Sequence, residues 1–346
     1  MISLNKPYIS IVLPCYNEEA ILPINLNTII NYLETKSFKY QWDILIINDG
    51  SKDKTAAIAN EFANQRNEIS VIHHPTNLNL GNAIKTGFNN SKGEIIVVLD
   101  IDLSYSVEHI EIMVDKLIEN SADIVMASPY MKGGKVTAVP FFRKIMSSWV
   151  NKFMQMASQD KYYTFTGMVR AYRKEFIQTL NLKTRDYEIN PEIVYKGMIL
   201  RAKIVEIPAH LDWTEQNKFS GKRSSSLKVL RAFFSGLMAG FIFRPYIFFL
   251  GIGAVLLCLS LYEILWLLFN VLSGLKEIYN QIPVVKYPFS YSLAEQFKLN
   301  PQSFIVGGIT LLAAIQFLGL GFLSLQNKRY FEELFHLGTS LKKNNS

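Results

Sequence analysis

The sequence predicts an α/β domain with a mostly parallel sheet, followed by two transmembrane helices. Two observations lead to this fold class. Over residues 1–127, short apolar runs rich in β-branched residues alternate with helical patterns, which is typical of a parallel sheet with helices on both faces. Residues 246–269 and 303–325 are apolar runs long enough to cross a bilayer, since a helix rises about 1.5 Å per residue.

The elements of the α/β part can be placed one by one. Runs of four to eight mainly Val, Ile and Leu residues predict buried strands. They lie at Tyr8–Leu13, Trp42–Asn48, Ile69–His73, Glu94–Leu99 and Asp123–Ala127. Between them, apolar residues recur with helical spacing. The predicted helices lie at Glu18–Glu34, Asp53–Gln65, Leu80–Asn89 and Val107–Asn120.

Composition divides the chain into four parts. We expect a polar domain at 1–217, a basic interfacial segment at 218–244, two spans with an external loop (270–302) at 245–326, and a cytosolic tail at 327–346. Within the basic segment, residues 232–243 are apolar but too few to cross a bilayer. They predict a helix lying on the cytosolic leaflet.

Positive charge is concentrated beside the membrane. The chain has a net charge of +7, and 218–244 contains basic residues but no acidic one. The basic residues are Lys218, Lys222, Arg223, Lys228, Arg231 and Arg244. This is the positive-inside signal, so the protein is predicted to be an integral protein of the cell membrane with a cytosolic N-terminal domain. The charge also suits anionic lipid or a phosphate ligand. It does not predict nucleic-acid binding, because no nucleic-acid motif accompanies it.

Polar clusters follow three of the predicted strands. They are Pro14–Glu19, Asn48–Ser51 and the pair Asp100 and Asp102. Ligands of open parallel sheets bind at the carboxyl ends of the strands, so one cleft is expected to collect Asp49, Asp100 and Asp102. The chain has no GxGxxG or GxxxxGK[ST] motif, which disfavours a dinucleotide oxidoreductase or a P-loop NTPase.

Asp100 and Asp102 are candidate metal ligands. Two carboxylates one residue apart, just past a strand, can turn towards one cation, and such hard ligands suit Mg²⁺ or Mn²⁺. A site of this kind keeps positions open for phosphate oxygens, so it could stabilise a departing diphosphate. The same pair also occurs in ordinary solvated turns, but its place after an apolar strand favours the metal. Asp49 could bind a base or ribose, cap the helix at Asp53, or do both.

An ordered set of motifs resembles the family 2 glycosyltransferases. The motifs are VLPCYNEE, IINDGSKDKT, NLNLGNAIKTG, VLDIDLS, TFTGMVRAYRKE, YEINPEIVYKGMILRAKIVEIPAHLDW and RSSSLK. Followed by two spans, they are similar to the branch of dolichyl-phosphate mannose synthases and bacterial undecaprenyl-phosphate glucosyltransferases. The resemblance covers residues 1–230 by motif. It implies a GT-A fold, a nucleotide-sugar donor (UDP- or GDP-hexose) and inversion at the sugar.

The resemblance implies a nucleotide site near the start of the chain. Pro14, Tyr16, Asn17 and Glu18 match the nucleotide-binding opening of the family. Asp49 matches its base- or ribose-contacting aspartate.

It also implies the reacting centre. Asp100 and Asp102 match the metal and diphosphate motif, and Asp102 is counted among the catalytic residues. Arg170 matches an arginine facing the phosphates or the sugar. Arg143 lies in the helix that approaches the acceptor, and Glu192 falls in the acidic motif beside the sugar pocket.

The basic segment matches the membrane end of the family pattern. Arg223 and Lys228 correspond to cations near the lipid phosphate. Two positions depart from the pattern. Asn82 stands where a basic residue often follows the glycine, so no lysine contact is expected there. Ile101 stands between the two aspartates, and its side chain is expected to point into the core.

The predicted function is transfer of a hexose, with UDP-glucose favoured, to polyprenyl phosphate at the cytosolic face. The acceptor oxygen is already anionic near neutral pH, so no dedicated base is needed. Arg143, Arg170, Arg223 and Lys228 would hold its phosphate in line with the sugar.

Two other functions stay open. A membrane-tethered nucleotide-sugar sensor or scaffold would need no transfer. A processive polysaccharide synthase usually has more spans and a QxxRW motif, which this chain lacks. Glycines in the spans permit close helix packing, which leaves a homo-oligomer open.

Overall fold

The computed structural model describes residues 6–157, 162–214, 241, 244–281 and 288–344. The chain divides into two compact units, one of Met1–Gly240 with Leu334–Ser346 and the other of Phe241–Glu333. Apart from residues 241 and 244, the predicted basic segment lies outside the described residues, and so does the helix predicted at 232–243.

The described residues of the first unit contain nine strands, and seven of them form one sheet. The strands are β1 Tyr8–Cys15, β2 Gln41–Asn48, β3 Ile69–His73, β4 Ile95–Val98, β5 Ile124–Ser128, β6 Lys135–Thr137, β7 Arg170–Arg173, β8 Ile204–Pro208 and β9 His210–Asp212. The sheet order is β3-β2-β1-β4-β7-β5-β8, and β6 pairs with β9 in a small parallel sheet. All pairs are parallel except those of β7, which runs antiparallel between β4 and β5.

Helices cover the sheet. They are α1 Leu22–Thr35, α2 Thr55–Gln65, α3 Leu80–Asn90, α4 His109–Glu119, α5 Phe141–Ala157, α6 Lys174–Thr179 and α7 Ile189–Ile199. The five predicted strands and four predicted helices are confirmed, with shifted ends. The helix α1 begins later than predicted because the chain first turns at Glu18, whose carbonyl accepts from the N–H groups of Ile21 and Leu22. Proline then lies in the first turn of the helix, where its missing N–H costs nothing.

The core lies between the sheet and its helices. Strand β4 is buried along its whole length, as expected for a central strand covered on both faces. The helices α1 and α4 place apolar side chains in one cluster with the strands. From these helices the cluster includes Leu22, Leu26, Ile29, Leu33, Ile110, Met113, Val114 and Leu117. This packing fixes the strand ends from which the polar loops leave.

The second unit contains apolar helices. They are α8 Pro245–Gln281, α9 Pro288–Leu299 and the greater part of α10 Pro301–Asn344. The segments Pro245–Leu275 and Pro301–Thr339 are long and apolar enough to cross a membrane, by length and composition. Both helices extend past the predicted spans, and α9 lies in the segment predicted as an external loop.

The helices α8 and α10 pack closely at small residues. A Cβ added at Gly253 would lie 2.9 Å from the Leu318 side chain, and one at Gly321 would lie 2.6 Å from that of Leu250. Beside them, the Ser260 hydroxyl donates to the Gly307 carbonyl at 3.1 Å. Glycine and serine thus allow the two backbones to approach closely.

Candidate active site

The turn after β4 presents two carboxylates at the carboxyl edge of the sheet. Asp100 and Asp102 are both half-buried, while Ile101 between them is 1% exposed and belongs to the core, as expected. The Asn25 side chain donates to the Ile101 carbonyl at 2.8 Å, and Asp102 Oδ1 accepts from the Ser104 N–H at 2.8 Å. The turn is therefore held from both sides.

A third carboxylate belongs to this cluster. Burial, followed by the charges of Asp102 and Glu18, raises the pKa of Asp100 well above its usual value. Burial, followed by the charges of Asp102 and Asp53, raises the pKa of Glu18 to about 7. Burial is the larger cause in both residues, and the repulsion between carboxylates adds to it, which indicates too little nearby positive charge. Glu18 was predicted only as part of the nucleotide-binding loop, and the structure brings it to the two aspartates.

The carboxylate cluster fits a divalent cation that also binds phosphate oxygens. No group of three or more His, Cys, Asp or Glu side chains in the described part of the chain is placed to hold a metal ion. The pair Asp100 and Asp102 offers hard oxygen ligands of the kind that suit Mg²⁺ or Mn²⁺ at an open site, where water and substrate supply the remaining ligands. Beyond burial, the charges of Asp102 and Glu18 raise the pKa of Asp100, and a bound cation would offset that excess of negative charge.

The loops after β1 and β2 are bound to each other. The Asn17 N–H donates to Ser51 Oγ at 3.0 Å, and Asn17 Oδ1 accepts from the Lys52 N–H at 2.8 Å. The Glu18 N–H donates to Thr55 Oγ1 at 2.8 Å. This exchange holds Asn17 at a φ of 58°, in the left-handed region.

Tyr16 and Pro14 lie on either side of the buried Cys15. Tyr16 is 42% exposed, so its ring is open to a ligand. Pro14 lies on β1 in register with Ile47. The predicted nucleotide-binding opening is thus a compact loop beside the carboxylate cluster.

Asp49 lies at the end of β2, beside this loop. Its Oδ1 accepts from the Leu78 N–H at 2.9 Å and lies 2.6 Å from His74 Nδ1. The capping role considered for Asp49 falls instead to Asp53, whose Oδ1 accepts from the Thr55 N–H at 3.0 Å. The pairing with His74 was not predicted, because the two residues are distant in sequence.

Gly50 allows the loops after β2 and β3 to touch. Its φ is 67°, and a Cβ there would lie 2.3 Å from the Thr76 carbonyl carbon and 2.5 Å from the Asn77 nitrogen. Both neighbours are backbone atoms, which cannot rotate away. The glycine therefore permits a close approach that any other residue would prevent.

We expect Gly50→Ala to destabilise the domain. The left-handed conformation costs about 1–2 kcal/mol for alanine, and the backbone clash adds to that cost. Thermal unfolding of the purified protein should show a midpoint lowered by roughly 4 °C or more. Gly338→Ala is the matched control, because a Cβ there meets nothing within 4 Å. An unchanged midpoint for Gly50→Ala would contradict the packing described here.

Arg143 stands at the start of α5 near the carboxylates. It is exposed, and its guanidinium carbon lies 4.2 Å from the centroid of the Trp213 ring. Although the residue as a whole is exposed, its guanidinium lies close to other protein atoms. This burial of the charged group lowers the pKa of Arg143, while Tyr187, Asp100 and Asp102 act in the opposite direction. Stacking on an indole orients a guanidinium without using its hydrogen-bond donors. Arg143 is thus the predicted arginine that is brought to the aspartates, and its guanidinium makes no hydrogen bond to the part of the chain that the structure describes.

Tyr187 was missed by the sequence analysis. The residue as a whole is 61% exposed, but its phenol group lies close to other protein atoms. This burial, followed by the charge of Asp100, raises the pKa of Tyr187. The loop that carries it lies against α3, because a Cβ on Gly81 would come within 2.6 Å of the Arg185 carbonyl carbon. The signal was available in the aromatic-acidic start of YEINPE, although nothing local places that segment beside β4.

Arg170 lies at the start of β7 and is 0% exposed. It donates to the Asn190 carbonyl at 2.9 Å and to the Phe165 carbonyl at 2.7 Å. In this arrangement the guanidinium has no surface open to a ligand. The predicted contact with phosphates or sugar stays a prediction, and the bonds seen join the segment around Phe165 to α7.

Glu192 lies in the first turn of α7 and is 2% exposed. Its carboxylate accepts from the N–H groups of Lys183 and Thr184 at 2.8 and 2.9 Å, and it pairs with Lys196 at 2.6 Å. These bonds hold the start of the loop that carries Tyr187. They also lower the pKa of Glu192 despite its burial. Its predicted place beside the sugar pocket remains a prediction.

Arg223 and Lys228, the predicted partners of a lipid phosphate, lie outside the described residues. Of the predicted site residues, eight lie together at the carboxyl edge of the sheet: Pro14, Tyr16, Asn17, Glu18, Asp49, Asp100, Asp102 and Arg143. Arg170 and Glu192 instead hold neighbouring segments of the chain in place.

Residues 10–180 match the family model described as glycosyl transferase family 2. The chain carries a family 2 glycosyltransferase domain. The match includes β1, β2 and β4 with their polar loops, and so contains Asp49, Asp100 and Asp102. The resemblance seen in the motifs is confirmed.

Two curated relatives each match more than half of this chain. A dolichyl-phosphate beta-glucosyltransferase of Trichomonas vaginalis is 28% identical over 232 residues, which is 64% of this chain and 70% of the relative. A dolichol-phosphate mannosyltransferase of Pyrococcus furiosus is 30% identical over 203 residues, 58% of this chain and 55% of the relative. The match thus spans about half the length of the Pyrococcus protein.

A solved structure supports the GT-A fold. The crystal structure of glucosyl-3-phosphoglycerate synthase from Mycobacterium tuberculosis, in complex with Mn²⁺, UDP and phosphoglyceric acid, superposes with a TM-score of 0.50. It is 16% identical, and the superposition covers 68% of this chain and 78% of the synthase. At this level of identity the likeness concerns the fold alone.

Proposed function

We propose that this glycosyltransferase moves a hexose from a nucleotide sugar to a polyprenyl phosphate at the cytosolic face of a membrane, with UDP-glucose as the favoured donor. The observation that carries the proposal is the turn after β4, held by Asn25 and Ser104, which places Asp100 and Asp102 at the carboxyl edge of the sheet. Glu18 and the exposed Arg143 lie near enough to act on the charge of Asp100. The two aspartates can hold the donor diphosphate through a metal ion. Arg143 offers a positive charge to the incoming acceptor phosphate. The acceptor class follows from the dolichyl-phosphate transferases among the relatives and from the two candidate spans.

In the proposed donor site, Asp100 and Asp102 hold Mg²⁺ or Mn²⁺. When bound, the cation would stabilise the negative charge that develops on the departing nucleoside diphosphate. The chain supplies the rest. Tyr16 and the Asn17 loop border the nucleotide, Asp49 accepts from its nucleoside, and Glu18 closes the carboxylate cluster. Glu192 and Arg170 act as positioning residues, because their bonds fix the segments around Thr184 and Phe165.

In the proposed reaction, an oxygen of the acceptor phosphate attacks the sugar C1 while the bond from C1 to the diphosphate oxygen breaks. The electron pair leaves with the nucleoside diphosphate, and a single displacement inverts the anomeric centre. No general base is required, because the phosphate oxygen is already ionised. Arg143 orients that oxygen and compensates its charge, a role suited to a guanidinium that is stacked on Trp213 and makes no hydrogen bond to the described residues. Arg223 and Lys228 are proposed to bind the same phosphate from the basic segment.

A transfer assay tests this function. Purified full-length protein in detergent would receive undecaprenyl phosphate, Mg²⁺ or Mn²⁺, and one radiolabelled UDP- or GDP-hexose at a time. We expect label to move into the organic phase with one donor and to stay in water when EDTA is added. Nucleotide binding without lipid product for any donor would favour a membrane-tethered sensor or scaffold. A water-soluble polymer as the product would favour a polysaccharide synthase.

Arg143→Ala should separate the acceptor from the donor. We expect kcat/KM for the lipid phosphate to fall by roughly 10²-fold, the loss of a charge-assisted contact made in the transition state. The Kd for UDP or GDP should change by less than about twofold, because Arg143 is proposed to contact the acceptor phosphate and not the nucleotide. Lys144→Ala is the matched control, because Lys144 is the exposed next residue on α5. Equal losses for donor and acceptor would contradict the assignment.

A further inference from the structure

His74 is a buried histidine beside Asp49, and the proposed reaction gives it no role as a general base. The side chain of His74 is 8% exposed and that of Asp49 is 5% exposed. The imidazole lies between two polar groups, with Nδ1 at 2.6 Å from Asp49 Oδ1 and Nε2 at 2.9 Å from the Thr86 hydroxyl. Burying a polar ring costs free energy unless both nitrogens are bonded, and here both are.

Both hydrogen bonds that the described residues make to the Asp49 carboxylate end on one oxygen. Oδ1 accepts from the Leu78 N–H and from His74, whereas Oδ2 accepts no bond from the described residues. The carboxylate is thus turned so that one oxygen serves the protein. The other remains available at the carboxyl edge of the sheet, where ligands of such folds bind.

The loop that carries His74 is fixed independently of the imidazole. The His74 N–H donates to the Asn48 carbonyl at 2.9 Å, and Gly50 brings the backbone of β2's loop against Thr76 and Asn77. Behind the ring, Thr86 belongs to the helix α3. A fixed backbone on one side and a helix on the other leave the imidazole one orientation. Because a carboxylate only accepts, Nδ1–H donates to Asp49, while Nε2 shares a hydrogen bond with the Thr86 hydroxyl.

We infer that His74 is a positioning residue for donor recognition: it holds Asp49 so that Oδ2 accepts a hydrogen bond from the nucleoside of the nucleotide sugar. The inference rests on the proposed function, in which Asp49 binds the nucleoside. The donor group is a base N–H, present in uracil and guanine, or a ribose hydroxyl. His74 takes no part in the chemical step, so its loss weakens nucleotide binding and leaves the transfer step largely intact.

A double-mutant cycle on nucleotide binding tests the inference. The Kd values of UDP and GDP would be measured by titration calorimetry for the full-length protein and for Asp49→Ala, His74→Ala and the double variant. We expect about tenfold weaker binding for each single variant, the value of one charge-assisted hydrogen bond, and no further loss in the double variant. In turnover, His74→Ala should raise KM for the donor with kcat changed less than about twofold.

Two variants separate positioning from a general structural role. His74→Asn should restore most of the affinity, because its amide nitrogen falls near the position of Nδ1 and can donate to Asp49. His73→Ala is the matched control, since the exposed His73 bonds Asn48 and Asn60 and does not touch Asp49. It should bind nucleotide as the unmodified protein does. If His74→Ala unfolds, Thr86→Val provides the second measurement, with a loss of about two- to threefold.

The outcomes distinguish the inference from the function beneath it. Weaker binding for Asp49→Ala but unchanged binding for His74→Ala would overturn the positioning role alone. Losses that multiply in the double variant would also overturn it, because His74 would then act apart from Asp49. Unchanged binding for Asp49→Ala would refute the proposed nucleoside contact itself. With 2′,3′-dideoxy-UDP, a penalty for His74→Ala that persists indicates a base N–H, and one that vanishes indicates a ribose hydroxyl.

Discussion

Asp102→Ala is expected to lower the rate of sugar transfer by about 10³-fold or more. Asp102 is proposed as a ligand of the cation that offsets charge on the departing diphosphate, an effect worth several kcal/mol at the transition state. Each 1.36 kcal/mol is a factor of ten in rate, so losing about 4 kcal/mol gives this value. The measurement is the initial rate at which labelled hexose enters the lipid phase, at saturating donor and Mg²⁺ or Mn²⁺.

Asp102→Asn and Glu61→Gln complete this test. Asparagine keeps the shape of Asp102 and its acceptor for the Ser104 N–H but removes the charge, so its rate should fall nearly as far as that of alanine. Glu61 is exposed on α2, and its neutralisation should leave the rate unchanged. A residual rate above one tenth in Asp102→Ala would show that the cluster does not carry the reaction. The Kd for Mn²⁺ in the presence of UDP should rise in parallel with the loss of rate.

Arg170→Ala is expected to cost about 3–5 kcal/mol of stability, the largest structural effect we foresee. The side chain is 0% exposed, and its removal leaves the carbonyls of Phe165 and Asn190 without the donors that satisfy them. A cavity the size of a guanidinium also opens between β7 and α7. Unpaired buried polar groups and cavities are the two common sources of losses this large.

Thermal unfolding of the purified protein, followed by circular dichroism, measures this loss. The midpoint should fall by roughly 6–15 °C for a domain of this size. Arg173→Ala is the matched control on the same strand, since Arg173 is half-buried and donates to the Ala122 carbonyl at 3.2 Å. Its midpoint should fall by a few degrees at most. A stable Arg170→Ala protein that has lost only transfer would favour the predicted direct contact with substrate.

The regular part of the fold could be predicted because its signals are local. Each of β1 to β5 is an apolar run, and each of α1 to α4 has helical spacing. Strand β7 has no such signal. It has four residues, RAYR, with an arginine at each end, and it is a strand because β4 and β5 pair with it on both sides. Pairing between distant segments overrides local preference in short strands.

The residues of the site that directly follow a strand could be predicted from the sequence. Asp49, Asp100 and Asp102 follow apolar runs, and parallel strands bring them to one edge. The pairing of Asp49 with His74 could not be predicted, because it depends on how the loop after β3 folds back. The burial of Arg170 was equally hidden, since an arginine in the segment TGMVRAY suggests a ligand contact as readily as a donor in the core.

The position of β7 has a consequence for the order of assembly during synthesis. Strands β1 to β4 come from residues 8–98 and can pair as soon as they have left the ribosome, whereas β5 has no neighbour in this sheet until β7 and β8 are made. Until Arg170–Arg173 emerges, the edges of β4 and β5 both expose unpaired backbone groups. Such edges recruit other chains. A nascent protein stopped before residue 170 should therefore aggregate, and the half-sheet already formed would be a binding site for holdase chaperones.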